Sequence, residues 1–456
     1  MQNNKPATLR RPLSLLLLAA FGSAAAPAFA ESEIDALKRE LAEQRQLIQQ
    51  LMKNQEEQKK TEIQTGGPAR GAGLQMGVPT GPSGTLTIYG VADVSASTVN
   101  SGYGQKSTIG SGGMSSSRIG FKGEKELGDD VKAVYLMEAG LLFDTGSVGT
   151  GAITPGINNT AVSSGGQTSN GSQIFSRQIY AGLSTRFGTV TAGRQYAGSY
   201  TSSVMSAAMG AGFFGSSAGL LPVIGGMPTR LNNSLVYASP KVAGFSGQLT
   251  LSSGSENNVN MVTPVAAGST TVTTDKAGRG GDLALFYSGG PLNATFTTWS
   301  LDNGSYVAPA TGAQETGLAK RRGWQVGGSY NLGFATLYGN YVAGRISGGN
   351  YENVTGTLSK AEGWSVSAGI PVWRGKAFVS YSQLDDKSIK NRDANLLGLA
   401  YAYKLQDSTT LYGTWGKVLN KANGTYSLTD GGNLVGTVAK PGYDPNGYMV
   451  GVNHVF

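Results

Sequence analysis

The chain of 456 residues offers little that could perform covalent chemistry. It has no cysteine, which removes thiol nucleophiles and cysteine-based metal sites. Its single histidine, His454, lies two residues from the carboxyl terminus. A nucleophile–histidine site needs an orienting partner and an oxyanion donor, and no second residue pattern supplies them. The scattered Asp and Glu show no calcium-loop spacing. Glycine-rich pieces such as Ser111-Gly112-Gly113 and Gly278-Arg279-Gly280-Gly281 lack the following helix that a phosphate loop requires. The sequence therefore predicts no enzyme, no catalytic residue, no metal and no cofactor. What remains is fixed charge. Arg118, Arg177, Arg194 and Arg230 sit in or beside alternating apolar runs, and residues 197–229 contain no Asp or Glu. Permanently charged guanidinium groups facing a wall without negative charge should favour anions.

The elements that would position these groups are strands. Residues 197–229 lie between two strand-like runs, 189–196 and 231–237, and carry an apolar pair, Phe213-Phe214, in their middle. Loops this long are usually functional or disordered. We expect this one to fold into a large β-barrel and narrow it. From Thr85 onward the pattern has period two, in sixteen runs of which the first is 85–95 and the last 447–456. Short connections at 126–130, 186–188, 239–244, 288–291, 331–334, 370–375 and 404–408 alternate with longer, polar, glycine-rich segments. One face of many runs is small or polar, as in Thr85, Thr87, Tyr89 and Asp93, or Arg118, Gly120, Lys122 and Glu124. The other is apolar, as in Leu86 and Ile88, or Ile119 and Phe121. Lipid needs the second kind of face and a watery lumen tolerates the first, while closure removes every unpaired edge from the hydrocarbon. The predicted fold is all-β: a 16-stranded antiparallel transmembrane β-barrel with an inward-folded third loop, preceded by a short α-helical coiled coil.

The amino-terminal part is organised differently. Lys5, Arg10 and Arg11, the apolar run 13–20 and the small-residue site Ala28-Phe29-Ala30 make residues 1–30 a secretory signal peptide. Residues 31–60 have no Gly or Pro, and Ile34, Leu37, Leu41, Ile48 and Leu51 fall at a and d positions of one heptad frame. A coiled-coil arm this short needs a partner helix. Residues 61–84 read as a flexible linker and 85–456 as the barrel. Charged residues are only 14%, and the net charge of +8 falls to +5 once three signal-peptide cations are removed from 36, leaving 33 against 28. No basic cluster or stacking module accompanies it, which argues against nucleic acid.

The last run, Tyr448-Met449-Val450-Gly451-Val452-Asn453-His454-Val455-Phe456, gathers Tyr448, Val450, Val452, His454 and Phe456 on its outward face. It resembles the terminal strand of the general porins of Gram-negative bacteria. Thr87-Ile88-Tyr89-Gly90-Val91 with Asp93 resembles their first strand. Ser117-Arg118-Ile119-Gly120-Phe121-Lys122-Gly123, with Leu127-Gly128 and Lys132-Ala133, resembles their second and third. Arg177-Gln178, the stretch Gly193-Arg194-Gln195-Tyr196, and Arg230 with Asn233-Ser234, Tyr237 and Ser239-Pro240 resemble the fourth to sixth. The likeness runs in order from Thr85 to Phe456 and does not include the arm.

This resemblance implies a homotrimer in the bacterial outer membrane that passes small hydrophilic solutes by passive diffusion. It implies that Arg118, Arg177 and Arg230 face the lumen at the constriction. Arg194 has a family counterpart too, but a place near the loop base that suits a structural role. Parity supports Arg118, whose face it shares with Gly120 and Lys122, and is ambiguous for Arg177, which shares a face with Ile179 and Ala181. The competing reading is a salt bridge to Asp93, Glu124 or Glu138. Porins with weak cation preference place carboxylates on the inward loop, and this loop has none, so anions should be preferred. An Asp placed at Ser216 or Ser217 should rebuild the missing negative wall. A porin specific for small organic anions, or a barrel acting mainly as a tether through periplasmic contact of the arm with the cell wall, are the alternative functions. The glycine- and serine-rich segment 144–173 resembles the loop with which family members reach a neighbouring barrel.

Overall fold

A computed structural model describes residues 84–149, 174–254, 261–265, 269–273, 278–303, 319–347, 359–430 and 433–456. The expected signal peptide, arm and all but the last residue of the linker lie outside the described residues, as does 150–173 of the segment expected to reach a neighbour.

Sixteen strands form one closed antiparallel sheet: β1 (Gly84–Asn100), β2 (Arg118–Gly128), β3 (Val131–Leu142), β4 (Gln178–Thr185), β5 (Gly188–Tyr196), β6 (Arg230–Ala238), β7 (Phe245–Ser253) and β8 (Arg279–Gly289), then β9 (Leu292–Asn303), β10 (Ala319–Asn331), β11 (Thr336–Ser347), β12 (Lys360–Val372), β13 (Gly375–Asp386), β14 (Ala394–Gln406), β15 (Thr409–Asn420) and β16 (Asn446–Val455). Every predicted run coincides with one of them. Each strand pairs with its neighbour in sequence, and β1 closes the circle by pairing β2 from Gly84 to Val91 and β16 from Val91 to Asn100. The tight connections all lie at one end. At the first, Asp129 and Asp130 take φ of 47° and 62°, the left-handed pair that a two-residue hairpin twisting with its strands demands.

The burial pattern is that of a protein in lipid. Leu249, Leu285, Val366, Leu399 and Val450 are exposed, while Thr250, Thr297, Gln325 and Ser382 between them are buried. Water would penalise such an exterior, whereas hydrocarbon requires it. Aromatic residues band it. The pairs Trp324–Tyr341 and Trp364–Tyr381 sit on the long-loop half of their strands, and Phe187, Phe334 and Trp373 are exposed at the tight turns.

Of the further short strands that the sequence did not reveal, the longest lies against β1. Gln105–Ser111 pairs with the Val94–Asn100 part of β1, on the edge opposite that taken by β16. Between it and β2 the chain bends inward, and its backbone supplies ligands to a buried carboxylate. Asp93 accepts hydrogen bonds from Met114 N (3.1 Å), Ser115 N (2.9 Å), Tyr412 OH (2.6 Å) and Asn453 Nδ2 (2.8 Å). It thus ties β1, β15, β16 and the bend together where the barrel closes. The carboxyl-terminal Phe456 fits beside Gly90, with which it exchanges two backbone hydrogen bonds. A Cβ on Gly90 would lie 2.3 Å from the Phe456 ring, so only glycine admits the terminal aromatic there.

The segment between β5 and β6 is helical in part: α1 (Gly198–Met205), then two short 3-10 stretches, Ser217–Gly219 and Leu221–Gly226. It has few exposed residues, and its apolar side chains share a cluster with residues of the sheet. Phe213, Phe214, Leu220, Leu221 and Ile224 pack with Trp299, Val342, Leu384, Leu396 and Tyr412. At this depth in the sheet those strand residues share the inward parity of Thr297, Asn340 and Ser382. Phe213 meets Tyr412 edge-on at 5.6 Å and Phe378 at 5.7 Å. The aromatic pair Phe213-Phe214 is therefore turned against the sheet and buried.

Candidate functional site

Arg118 opens β2, Arg177 stands one residue before β4, and Arg230 opens β6, all at the long-loop ends of their strands. Arg118 and Arg177 pair with one carboxylate from β3, and Arg230 joins them through Tyr196. Arg177 Nε lies 2.8 Å from Glu138 Oε1, and Arg118 Nε lies 3.5 Å from Glu138 Oε2. Tyr89 OH donates to Glu138 Oε2 at 2.9 Å. Tyr196, the last residue of β5, extends the group. Its hydroxyl accepts from Arg177 Nη2 at 2.6 Å and from Arg230 Nη2. The Arg230 guanidinium lies over the Tyr196 ring at 4.2 Å, a cation–π contact, and Tyr200 of α1 stacks on Tyr196 at 4.8 Å with rings 12° apart.

The charge balance follows directly. The cluster holds three guanidiniums and one carboxylate, so it carries two uncompensated positive charges. All four groups are buried, with Glu138 1% exposed and Arg118, Arg177 and Arg230 at 8, 6 and 2%. Arg230 is the least neutralised, since its Nε and Nη1 have no hydrogen-bond partner among the described residues. The attraction of such charges for an anion is weakened less by salt than that of exposed ones.

The structure brings Arg118, Arg177 and Arg230 together. It also realises part of the competing reading, because Glu138 pairs with two of them. Glu124 is engaged with Lys132 at 3.1 Å, and Asp93 is taken up by the closure seam. Arg177 turns toward Glu138 although Ile179, two residues on, is exposed on the outer face, so alternation alone would have sent it outward. It escapes that parity because it precedes the first residue of β4. Arg194 takes other partners: its Nε donates to Ser176 O at 2.7 Å and its Nη1 to Asn232 Oδ1. Those bonds fasten the lead-in of β4 to β6.

Sequence reasoning missed Tyr196 and Tyr200, which carry no signal beyond their place at the root of the loop. It also missed Arg321 on β10, buried with Nη1 3.5 Å from Gly226 O. Parity could have found it, because Arg321, Gly323 and Gln325 share one face. Ser216 and Ser217 are buried, and Ser216 Oγ donates to Gly210 O and accepts from Ala218 N. An Asp there would be an unpaired buried charge, so the acidic-wall experiment moves to half-buried Ala211, which packs beside Tyr196 and Tyr200. His454 is exposed, 2.9 Å from Thr409 Oγ1 near a tight turn. Among the described residues no group of three or more His, Asp or Glu could hold a metal ion.

A closed sixteen-stranded barrel with an apolar exterior and a charged, polar interior defines an outer-membrane channel, and the comparisons agree. The chain belongs to the Gram-negative porin family, whose model matches residues 15–424. It is 27% identical over 385 residues to outer membrane porin protein 32 of Delftia acidovorans, covering 82% of this chain and 94% of that one. Among solved structures it resembles the anion-selective porin from Comamonas acidovorans, with a TM-score of 0.62 and 23% identity over 82% of this chain and all of that one. It also resembles the trimer form of OmpT from Vibrio cholerae, with a TM-score of 0.57 and 16% identity over 82% of this chain and all of that one. The protein is a porin of the bacterial outer membrane and not an enzyme.

Proposed function

We propose that this porin is a water-filled diffusion channel for small hydrophilic solutes, with a preference for anions set at a constriction between residues 197–229 and the arginine cluster. The observation that carries the reading is the charge count: three guanidiniums, one carboxylate, and a facing segment without an acidic residue. Support for an inward course of the segment comes from its polar contacts with strands far apart in the sheet. Trp299 Nε1 of β9 donates to Gly225 O at 2.9 Å, Gln325 Nε2 of β10 to Ser202 Oγ at 3.0 Å, and Thr414 Oγ1 of β15 to Phe214 O at 3.1 Å.

In this mechanism nothing is bound and released in a fixed cycle. A solute keeps most of its hydration, and the positive potential raises the local anion concentration within about 10 Å at 0.1 M salt. The test is the reversal potential of the purified channel in a potassium chloride gradient. It should have the sign of chloride preference, and Ala211→Asp should reduce it by restoring a negative charge opposite the arginines. A cation-selective native channel would refute the proposal.

The same proposal extends to assembly and export. Residues 1–30 act as the signal peptide, 31–60 as a periplasmic coiled-coil arm and 61–84 as its linker, and three barrels associate. The trimer form of the Vibrio cholerae relative supports the last point. Deleting 31–60 should leave a trimeric mass in mild detergent by light scattering; a monomeric mass would count against the barrel as the trimer's source.

A further inference from the structure

We infer that Asp282, on β8, is a positioning residue that fixes the first turn of α1 and so sets the edge of the aperture beside the arginines. This rests on the reading that residues 197–229 form the constriction. The helix begins without help from its own sequence: the residue before it is Ala197, no side chain caps it, and its first turn holds no acid. Four backbone N–H groups at a helix start lack partners within the helix, and leaving them buried and unpaired is costly. Here the missing acceptor comes from the sheet, 84 residues away. Asp282 Oδ1 accepts from Gly198 N at 2.7 Å, and Oδ2 accepts from Ser199 N at 3.2 Å. Both carboxylate oxygens are thus used on two consecutive N–H groups at the positive end of the helix dipole.

The fit is close on every side. Asp282 is 1% exposed, and a Cβ at Gly198 would lie 2.4 Å from Ala284 Cβ and 3.0 Å from Asp282 Oδ1. Ser202, one turn on, donates to Thr295 Oγ1 of β9 at 2.6 Å and accepts from Gln325 of β10. Tyr200 leaves the same turn on the opposite side to stack on Tyr196, which carries Arg177 and Arg230. Movement of this turn would therefore move the stack that seats both guanidiniums. The far end of the segment is held separately. Phe213 N donates to Gly113 O at 2.7 Å, and Gly215 approaches Gly398 so closely that a Cβ on Gly215 would be 2.2 Å from Gly398 Cα. The root thus depends on Asp282 while the tip does not.

The absence of native cysteine makes this testable by thiol kinetics. Thr201 on α1 is buried with a hydroxyl that has no partner among the described residues, so Thr201→Cys is a near-isosteric reporter for the root; Ala218→Cys reports on the tip. Each reporter is placed in the full-length protein, alone and with Asp282→Ala or Asp282→Asn, and reacted with a small charged methanethiosulfonate. Asp282→Ala should raise the root rate by about tenfold or more through local opening, while the tip rate stays within about twofold. Asp282→Asn, which retains one acceptor oxygen, should give an intermediate root rate and is the variant to read if Asp282→Ala does not assemble. Single channels of Asp282→Ala should flicker between sub-levels. A root rate unchanged in both variants, or an equal rise at root and tip, overturns the assignment. Because thiol rates do not depend on the sign of selectivity, this result stands apart from the reversal-potential test. A cation-selective channel with a tenfold root effect would refute the anion reading alone.

Discussion

Replacing Glu138 by Gln is expected to lower the unfolding free energy by about 3–5 kcal/mol, because it removes the one carboxylate on which two buried guanidiniums depend. Gln has nearly the same volume, so no cavity contributes. Tyr89 can still donate to the amide oxygen, so the loss falls on Arg118 and Arg177. Both would be left 9% and 7% exposed at the side chain, without a negative partner from β3. Desolvated charge is what makes breaking such a pair expensive, whereas surface pairs are worth little. Urea unfolding of the folded barrel, followed by tryptophan fluorescence, measures this. A change below about 1 kcal/mol would mean that water reaches the cluster freely, in the manner of a surface pair. The same substitution should strengthen anion preference, since three positive charges then stand without a counter-charge. Stability and selectivity should therefore move in opposite directions in one variant.

The second large effect is on selectivity, and it is a series. With Arg118, Arg177 and Arg230 all changed to Gln, Glu138 alone remains and the cluster becomes negative, so the triple variant should lean toward cations. Adding Glu138→Gln gives a neutral cluster, and the quadruple variant should show a permeability ratio near unity. One charge about 4 Å from an ion is worth roughly 1 kcal/mol at a dielectric of 80, and more where walls exclude water. Two uncompensated charges at somewhat larger distance, partly screened, give on the order of a several-fold preference for chloride in the native channel. The quadruple variant should also be the better folded of the two, because neutralising both sides of a buried pair together is far less costly than orphaning one side. Reversal potentials of the three proteins in one potassium chloride gradient provide the check. If the quadruple variant kept the native preference, the field would have to come from other inward cations, such as Arg321 or Lys122.

Much of the architecture was determined by the sequence alone, because it is encoded locally. Alternation of Leu249 and Leu251 with Thr250, or of Trp364 and Val366 with Ser365, states which face meets lipid. Short and long connections alternate in the chain as they do in the barrel, and Asp129-Asp130 specifies its own turn. With strand number and alternation fixed, the strand order of an antiparallel meander follows, as does the return of both ends to the turn side. The absence of acid between 197 and 229 was also plain. Tertiary structure decided what those features do to one another. Arg177 faces Glu138 against its apparent parity because its residue lies just outside β4, a boundary that pairing with β3 sets. Arg194, matched by the same motif, fastens Ser176 and Asn232 instead. Phe213 and Phe214 turn to the sheet because apolar side chains of β9, β11, β13, β14 and β15 leave them an apolar surface to bury against. Asp282 meets Gly198 across 84 residues and Ser199 across 83, and Asp93 meets Asn453 across 360. No local pattern encodes such pairs; closing the sheet brings them together, and the cost of burying an unpartnered charge or N–H keeps them there.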